Sequence, residues 1–242
     1  ITTTGFPICR ERVSELLGFD GLVENSYDAI AGVNYITQLS SALTELGVDL
    51  SRFLKDTLDF CTREYGYYRL ADPYVQISSI MPQKRNPSSL EHARPIASQL
   101  IAEAQAAVLM LHNTPFGDMV DSEEQLQPHL YQAMQNAARV LSLLTSNYAT
   151  LTLNKDVMLR RAGEGFITAT ELADTLVREK GLSFRESHRI TAAVVRAMHA
   201  RGLCERDLTP ELLREIVGDG VSVDQELIAR ALDPAYFVRL RG

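Results

Sequence analysis

Between Asn25 and Glu64 the chain carries no proline, a stretch far longer than any ordinary strand and longer than most single helices. Asn25 and Ser26 are both good N-cap residues. Beyond them Leu39, Leu43, Leu46, Leu50 and Phe53 recur at alternating spacings of four and three, the pattern of an apolar seam on a long bundle helix. The run therefore predicts one long helix ending near Glu64. Gly47 lies inside it at a cost of about 1 kcal/mol relative to alanine. It marks the weakest point of the run.

Two further helical runs follow. One covers about 88–112, polar at its start and then rich in Ala and Leu, with Ile101, Ala104, Val108 and Leu111 as its apolar residues. Pro95 is expected to close a separate first turn or to kink this run. The other covers about 122–151, with Pro128 near its start and Leu130, Met134, Ala137, Val140, Leu141 and Leu144 on one stripe. Three long helices with short connections predict a bundle. From Asn154 the texture changes to short, punctuated helices. Thr168 to Glu171 and Ser183 to Glu186 both fit the capping-box pattern. Gly181 and Gly202 supply stops, Thr209-Pro210 begins another helix, and Ser222 a last one. No strand pattern and no internal repeat stand out. The expected architecture is all-α, with a long-helix bundle over 1–152 and a small helical domain over 153–242.

At 242 residues and 45% hydrophobic, the chain can bury a large core. Its net charge of −7 and the lack of a polybasic segment argue against nucleic acid or an anionic membrane as main partner. No apolar run reaches membrane-spanning length. Cys9, Cys61 and Cys204 are odd in number and lack ligand spacing. They read as reduced thiols, which favours a cytoplasmic location. His92, His112, His129 and His199 also lack ligand spacing, so no metal is assigned. His188 reads as a surface or core residue of its helix.

Chemistry concentrates between the first two long helices, in the run from Gln76 to Pro87. Two prolines and paired serines make it a loop. It sets a hydroxyl pair, a cation and an amide just before a helix N-terminus with free backbone amides. That set suits a carboxylate ligand, with Lys84 for charge and Asn86 for directed hydrogen bonds.

The same residues, Ser78-Ser79-Ile80-Met81-Pro82-Gln83-Lys84-Arg85-Asn86-Pro87, match without exception the Ser-Ser-x-Met-Pro-x-Lys-x-Asn-Pro signature of the superfamily of argininosuccinate lyase, adenylosuccinate lyase, fumarase and aspartase. Thr4 to Ile8 with Arg10-Glu11, Leu17 to Phe19, Asn25 to Ala29, Leu50 to Arg52, Thr170 to Asp174 and Phe184 to His188 resemble the argininosuccinate lyase-like branch in particular. The resemblance implies a fold of the fumarase/aspartase type and a cofactor-free lyase that eliminates fumarate from an N-substituted aspartate with C–N cleavage, as in arginine biosynthesis. It implies Ser78 as general base and Lys84 and Asn86 as stabilisers of a dianionic intermediate. Glu91 would pair with a histidine near the leaving group, and Ser79 and Met81 would join Asn86 in binding substrate. It also implies a homotetramer with active sites shared between chains. Each role competes with a structural one: a loop-capping Ser78, a solvated Lys84, a Glu91 favoured by the helix dipole.

Three departures qualify the resemblance. The superfamily assembles its site from three separated regions, and only the last is present here. The chain, which opens at Ile1 without an initiator Met, thus reads as a fragment expected to be inactive alone. The branch's Tyr-Asn-(Lys/Arg)-Asp-x-Gln-Glu-Asp-Lys run aligns with 118–126, where Asp118, Glu123 and Leu126 replace its tyrosine, glutamine and lysine. Asp118 and Glu123, with Asp121 and Glu124, are therefore expected either to face a cationic amine such as a diamine or to form an ordinary acidic helix start. Ile77 and Cys9 stand where the branch has glycine and aspartate. An aminopolycarboxylate of the ethylenediamine-disuccinate type is the rival substrate to argininosuccinate. A non-catalytic scaffold, as in lens proteins of this superfamily, is the rival class.

Overall fold

The computed structural model describes residues 4–118 and 120–242, without the side chains of Asp121 and Ser122. Among the described residues the chain is all-α, as its sequence predicts, apart from four two-residue strands. It divides into two compact units, Ile1–Leu153 and Asn154–Gly242.

The first unit holds α1 (Arg10–Leu17), α2 (Ser26–Ala31), α3 (Asn34–Phe60), α4 (Ser88–Leu111) and α5 (Val120–Thr150). The last three pack up, down and up. Ser89 near the start of α4 meets Asn147 near the end of α5, with 2.9 Å between Oγ and Oδ1. Glu103 meets His129, with 2.5 Å between Oε2 and Nδ1. Thr57 and Tyr148 join α3 and α5 in parallel, their hydroxyl oxygens 2.8 Å apart. The centre of α4 is alanine-lined: Ala93, Ala97, Ala104 and Ala107 are fully buried, so neighbouring backbones approach closely.

Gly47 does not break α3. A Cβ built there would lie 2.6 Å from Ile101 Cγ1 and 3.2 Å from Leu100 Cγ, so its small size is what lets α3 and α4 touch. The break falls instead at Gly32-Val33, between α2, capped by the Asn25 side chain, and α3. Pro95 does not split α4 into two helices. It only removes the amide that would bond the Glu91 carbonyl.

The apolar seam is rotated from the expected one. Ile36, Leu43, Leu50 and Leu54 face the core, whereas Leu39 and Phe53 are 40% and 47% exposed. On α5, Met134 and Leu141 are likewise exposed while Leu130, Ala137, Val140 and Leu144 are buried. On α4, Leu100 and Ala107 take the core positions, and Val108 is exposed. The sequence shows a wide apolar stripe, but one chain covers only part of it.

The expectation of no strands fails at four short places. Strand β1 (Tyr68–Arg69) pairs with β4 (Thr152–Leu153), and β2 (Gln76–Ile77) pairs with β3 (Arg85–Asn86), both antiparallel. Two-residue ladders carry too little alternation to register as strands in a sequence.

The second unit comprises α6 (Lys155–Ala162), α7 (Ala169–Lys180), α8 (Phe184–Ala200), α9 (Pro210–Val217), α10 (Gln225–Leu232) and α11 (Pro234–Arg241). Its core centres on Leu172, Leu176, Ile190, Val194 and Met198. Ser183 and Thr209 cap α8 and α9 through their side chains, as expected. Thr168 does not cap α7: its hydroxyl donates to the Leu232 carbonyl at 3.1 Å. Its expected partner Glu171 is instead fully buried, bound by Arg178 and by Arg241, whose Nη1 lies 2.5 Å from Oε2. Asp224 and Asp233 cap the last two helices, in place of the start expected at Ser222.

Candidate active site

The signature run is the loop of a hairpin. The β2–β3 ladder pairs Gln76 with Asn86 and Ile77 with Arg85, so Ser78 to Lys84 project from a two-rung base. Ser78 Oγ accepts hydrogen bonds from the backbone amides of Ile80 (3.3 Å) and Met81 (3.1 Å). The Lys84 amide closes a turn onto the Met81 carbonyl at 3.0 Å. The rest of the loop faces outward. Ser79, Met81 and Lys84 are exposed, and Ile80 is 87% exposed. Ile77, where the branch has glycine, also points into solvent.

Two side chains fix this hairpin to the bundle. Arg85 Nη2 donates to the Leu70 carbonyl (3.1 Å) and to Asp72 Oδ1 (2.6 Å). Ser89 Oγ lies within hydrogen-bond distance of the Tyr74 carbonyl and Asn147 Oδ1, and Asn147 Nδ2 donates to Leu143. The start of α4 is thereby tied to both the preceding segment and α5. Sequence reading passed over both residues. Arg85 occupies a position the signature leaves open, and Ser89 looks like an ordinary first-turn serine.

Asn86 and the exposed Glu91 line a cleft of about 450 Å³ with Lys55, Arg63, Arg85 and Arg94, whereas Ser78 and Lys84 do not line it. Lys55 is paired with Asp59. Cys61 also borders the cleft, and burial pushes its thiol up to about 11, which keeps it protonated and unreactive at neutral pH. The cations Lys55, Arg63 and Arg94 carried no motif and could be found only by folding the chain.

Asp118 and Glu123 lie elsewhere. They border a pocket of about 370 Å³ with Ile30, Tyr35, Leu39 and Tyr131. That pocket is at the end of the bundle where α3 and α5 begin, while the hairpin is where α3 and α5 end. The rise from Glu123 to Asn147 along α5 is about 36 Å. The residues expected to bind substrate thus form two groups, which one chain does not bring together. Glu123 Oε1 accepts from Gln127 at 2.9 Å. The Asp121 side chain lies outside the described residues. Among the described residues no group of three or more His, Cys, Asp or Glu is placed to hold a metal ion. No helix among them is long and apolar enough to cross a membrane.

The fold and the hairpin are those of a lyase family. Residues 1–102 match the lyase family model, and residues 166–239 match the model of the argininosuccinate lyase C-terminal region. The chain belongs to the argininosuccinate lyase/fumarase superfamily. It is 40% identical to argininosuccinate lyase 2 of Agrobacterium fabrum and 38% identical to argininosuccinate lyase of Methanocaldococcus jannaschii, matching over its whole length and over 49% of each relative. Among solved structures it is similar to EDDS lyase in complex with formate, with a TM-score of 0.81 and 34% identity over 98% of this chain and 48% of that one. A class II fumarase from Schistosoma mansoni has the same fold at 15% identity, with a TM-score of 0.65 over 96% of this chain and 47% of that one. The chain spans about half the length of the curated relatives it matches.

Proposed function

We propose that this chain supplies the signature-loop part of a lyase that eliminates fumarate from an N-substituted aspartate. The observation that carries the reading is the pair of backbone amides on Ser78 Oγ. A free serine is far too weak a base to take a proton from carbon. Two amide donors on its oxygen lower the cost of the alkoxide, as an oxyanion hole does. Ser78 Oγ then takes the proton from the carbon next to a carboxylate, and the electron pair moves into that carboxylate. Lys84 and Asn86 stabilise the resulting dianion. The pair returns to form the double bond of fumarate as the C–N bond breaks and the amine leaves, protonated by a group that Glu91 helps to orient. Ser79 and Met81 line the substrate side of the loop.

Argininosuccinate is the default substrate, supported by the curated relatives. An aminopolycarboxylate of the ethylenediamine-disuccinate type is favoured by a separate observation. Asp118 and Glu123 share a pocket with Tyr35 and Tyr131, and carboxylates beside aromatic rings suit an ammonium group. The similarity to EDDS lyase points the same way. The separation of this pocket from the hairpin, and the exposed Leu39, Phe53 and Leu141, support a homotetramer in which copies complete one another's sites.

The test is fumarate addition by the full-length gene product containing this chain, with arginine, ethylenediamine, AMP and ammonia as amines and adducts read by mass spectrometry. An arginine or diamine adduct names the substrate. A folded oligomer that forms no adduct with any amine would return the chain to the scaffold class.

A further inference from the structure

The cleft beside the hairpin holds cationic side chains that the reaction above does not use. Lys55, Asp59 and Arg63 face Arg85, Glu91 and Arg94 across it, four cationic side chains against two acidic ones. Two of the cations are already engaged, Lys55 with Asp59 and Arg85 with Asp72. Arg63 and Arg94 make no ion pair with any described residue. Even Glu91, one helical turn before Arg94, stays unpaired with it. The N-terminus of α4 opens at the same wall and adds positive potential.

Two guanidinium groups from different elements, the turn after α3 and the face of α4, therefore line one space without an ion pair to either of the acids, Asp59 and Glu91, that share it. Guanidinium forks match carboxylates in a bidentate way that ammonium groups do not. A cleft of about 450 Å³ has room for a small polycarboxylate. Glu91 on the same wall is the one acid there without an ion pair of its own, so the cleft keeps a net positive charge.

We propose that this cleft is a carboxylate-binding subsite formed by Arg63 and Arg94, and that it takes a carboxylate of the substrate remote from the bond being broken. The second half of the statement rests on the lyase reading; the binding itself does not. The subsite selects substrates with carboxylates beyond the two that become fumarate.

Calorimetric titration of this chain with tricarballylate at low ionic strength tests it. Tricarballylate should bind more tightly than succinate. Arg63→Gln and Arg94→Gln should each weaken it roughly tenfold, the value of one charged hydrogen bond, with circular dichroism unchanged. Arg94→Lys, which keeps charge but loses the fork, should fall between. Ser78→Ala should leave the titration unaltered. Equal binding by the double glutamine variant, or no tricarballylate binding at all, would overturn the subsite. Because the titration needs no turnover, arginine-dependent binding in a protein that makes no fumarate adduct would count against the lyase reading alone.

Discussion

Arg85 Nη2 sits 2.6 Å from Asp72 Oδ1 and 3.1 Å from the Leu70 carbonyl, so one guanidinium ties the base of the signature hairpin to the segment before it. The two contacts differ in weight. Asp72 is 84% exposed, which limits the ion pair to about 1 kcal/mol or less. The carbonyl contact is more sheltered and loses its donor outright when the arginine is removed. Asp72→Ala should thus leave melting almost unchanged, whereas Arg85→Ala should loosen the hairpin. Amide hydrogen exchange at Ile77 and Asn86 would read the difference. Equal protection in both variants would rule out Arg85 as the clamp.

Ser78→Ala removes the acceptor of both loop amides and the proposed base together. Loss of general-base catalysis costs roughly 10²–10⁴ in rate. The full-length protein should lose fumarate addition by at least that factor while its oligomeric state, measured by light scattering, stays the same.

Gly47→Ala sets two effects against each other. Alanine gains about 1 kcal/mol of helix propensity. Its Cβ would come within 2.6 Å of Ile101 Cγ1 on a branched, packed side chain, and overpacking of this kind costs about 1–3 kcal/mol. The clash wins. The variant should melt lower by about 1 kcal/mol in urea titrations, and a more stable variant would contradict the close packing of α3 against α4.

Glu171 is fully buried. Desolvation alone would raise its pKa, but hydrogen bonds from Arg178, Arg241 and Thr175 outweigh this and hold the carboxyl below the ordinary glutamate range. A carboxylate depressed in the folded state adds stability that is present above its unfolded pKa and lost as pH falls through the folded value. Stability of the second unit should therefore drop on acidification below the ordinary glutamate range. Glu171→Gln should flatten that dependence. It should also cost about 2 kcal/mol at neutral pH, the order of one charged hydrogen bond, because Arg178 and Arg241 are 43% and 37% exposed and Arg241 keeps Asp174 as a partner. Exchange protection along α7 as a function of pH checks both.

Cys9 is the N-cap of α1 but makes no capping hydrogen bond. Cys9→Asp restores an acceptor for the helix amides and should stabilise α1 by about 1 kcal/mol. Slower amide exchange at Glu11 and Arg12, the amides within reach of an N-cap side chain, would register it.

What the sequence determined by itself was whatever depends on neighbours along the chain. The Leu and Ala periodicities fixed three long helices, because a helix needs only local hydrogen bonds and one apolar face. The glycine stop at Gly181 and the caps at Asn25, Ser183 and Thr209 were legible for the same reason. So was the Ser78 to Pro87 run, whose residue types sit within one loop. The tertiary structure decided what depends on residues distant in sequence. It rotated the seam so that Leu54 rather than Phe53 faces the core, since burial is set by where α4 and α5 lie. It turned Gly47 from a weak point into a contact with Ile101. It redirected Thr168 from a cap to the Leu232 carbonyl, sixty-four residues away. It gathered Arg63 and Arg94 around Asn86 and Glu91 while leaving Asp118 and Glu123 at the far end of α5. A rigid helix rising 1.5 Å per residue carries adjacent stretches of sequence far apart and brings distant ones together, and no local pattern records which.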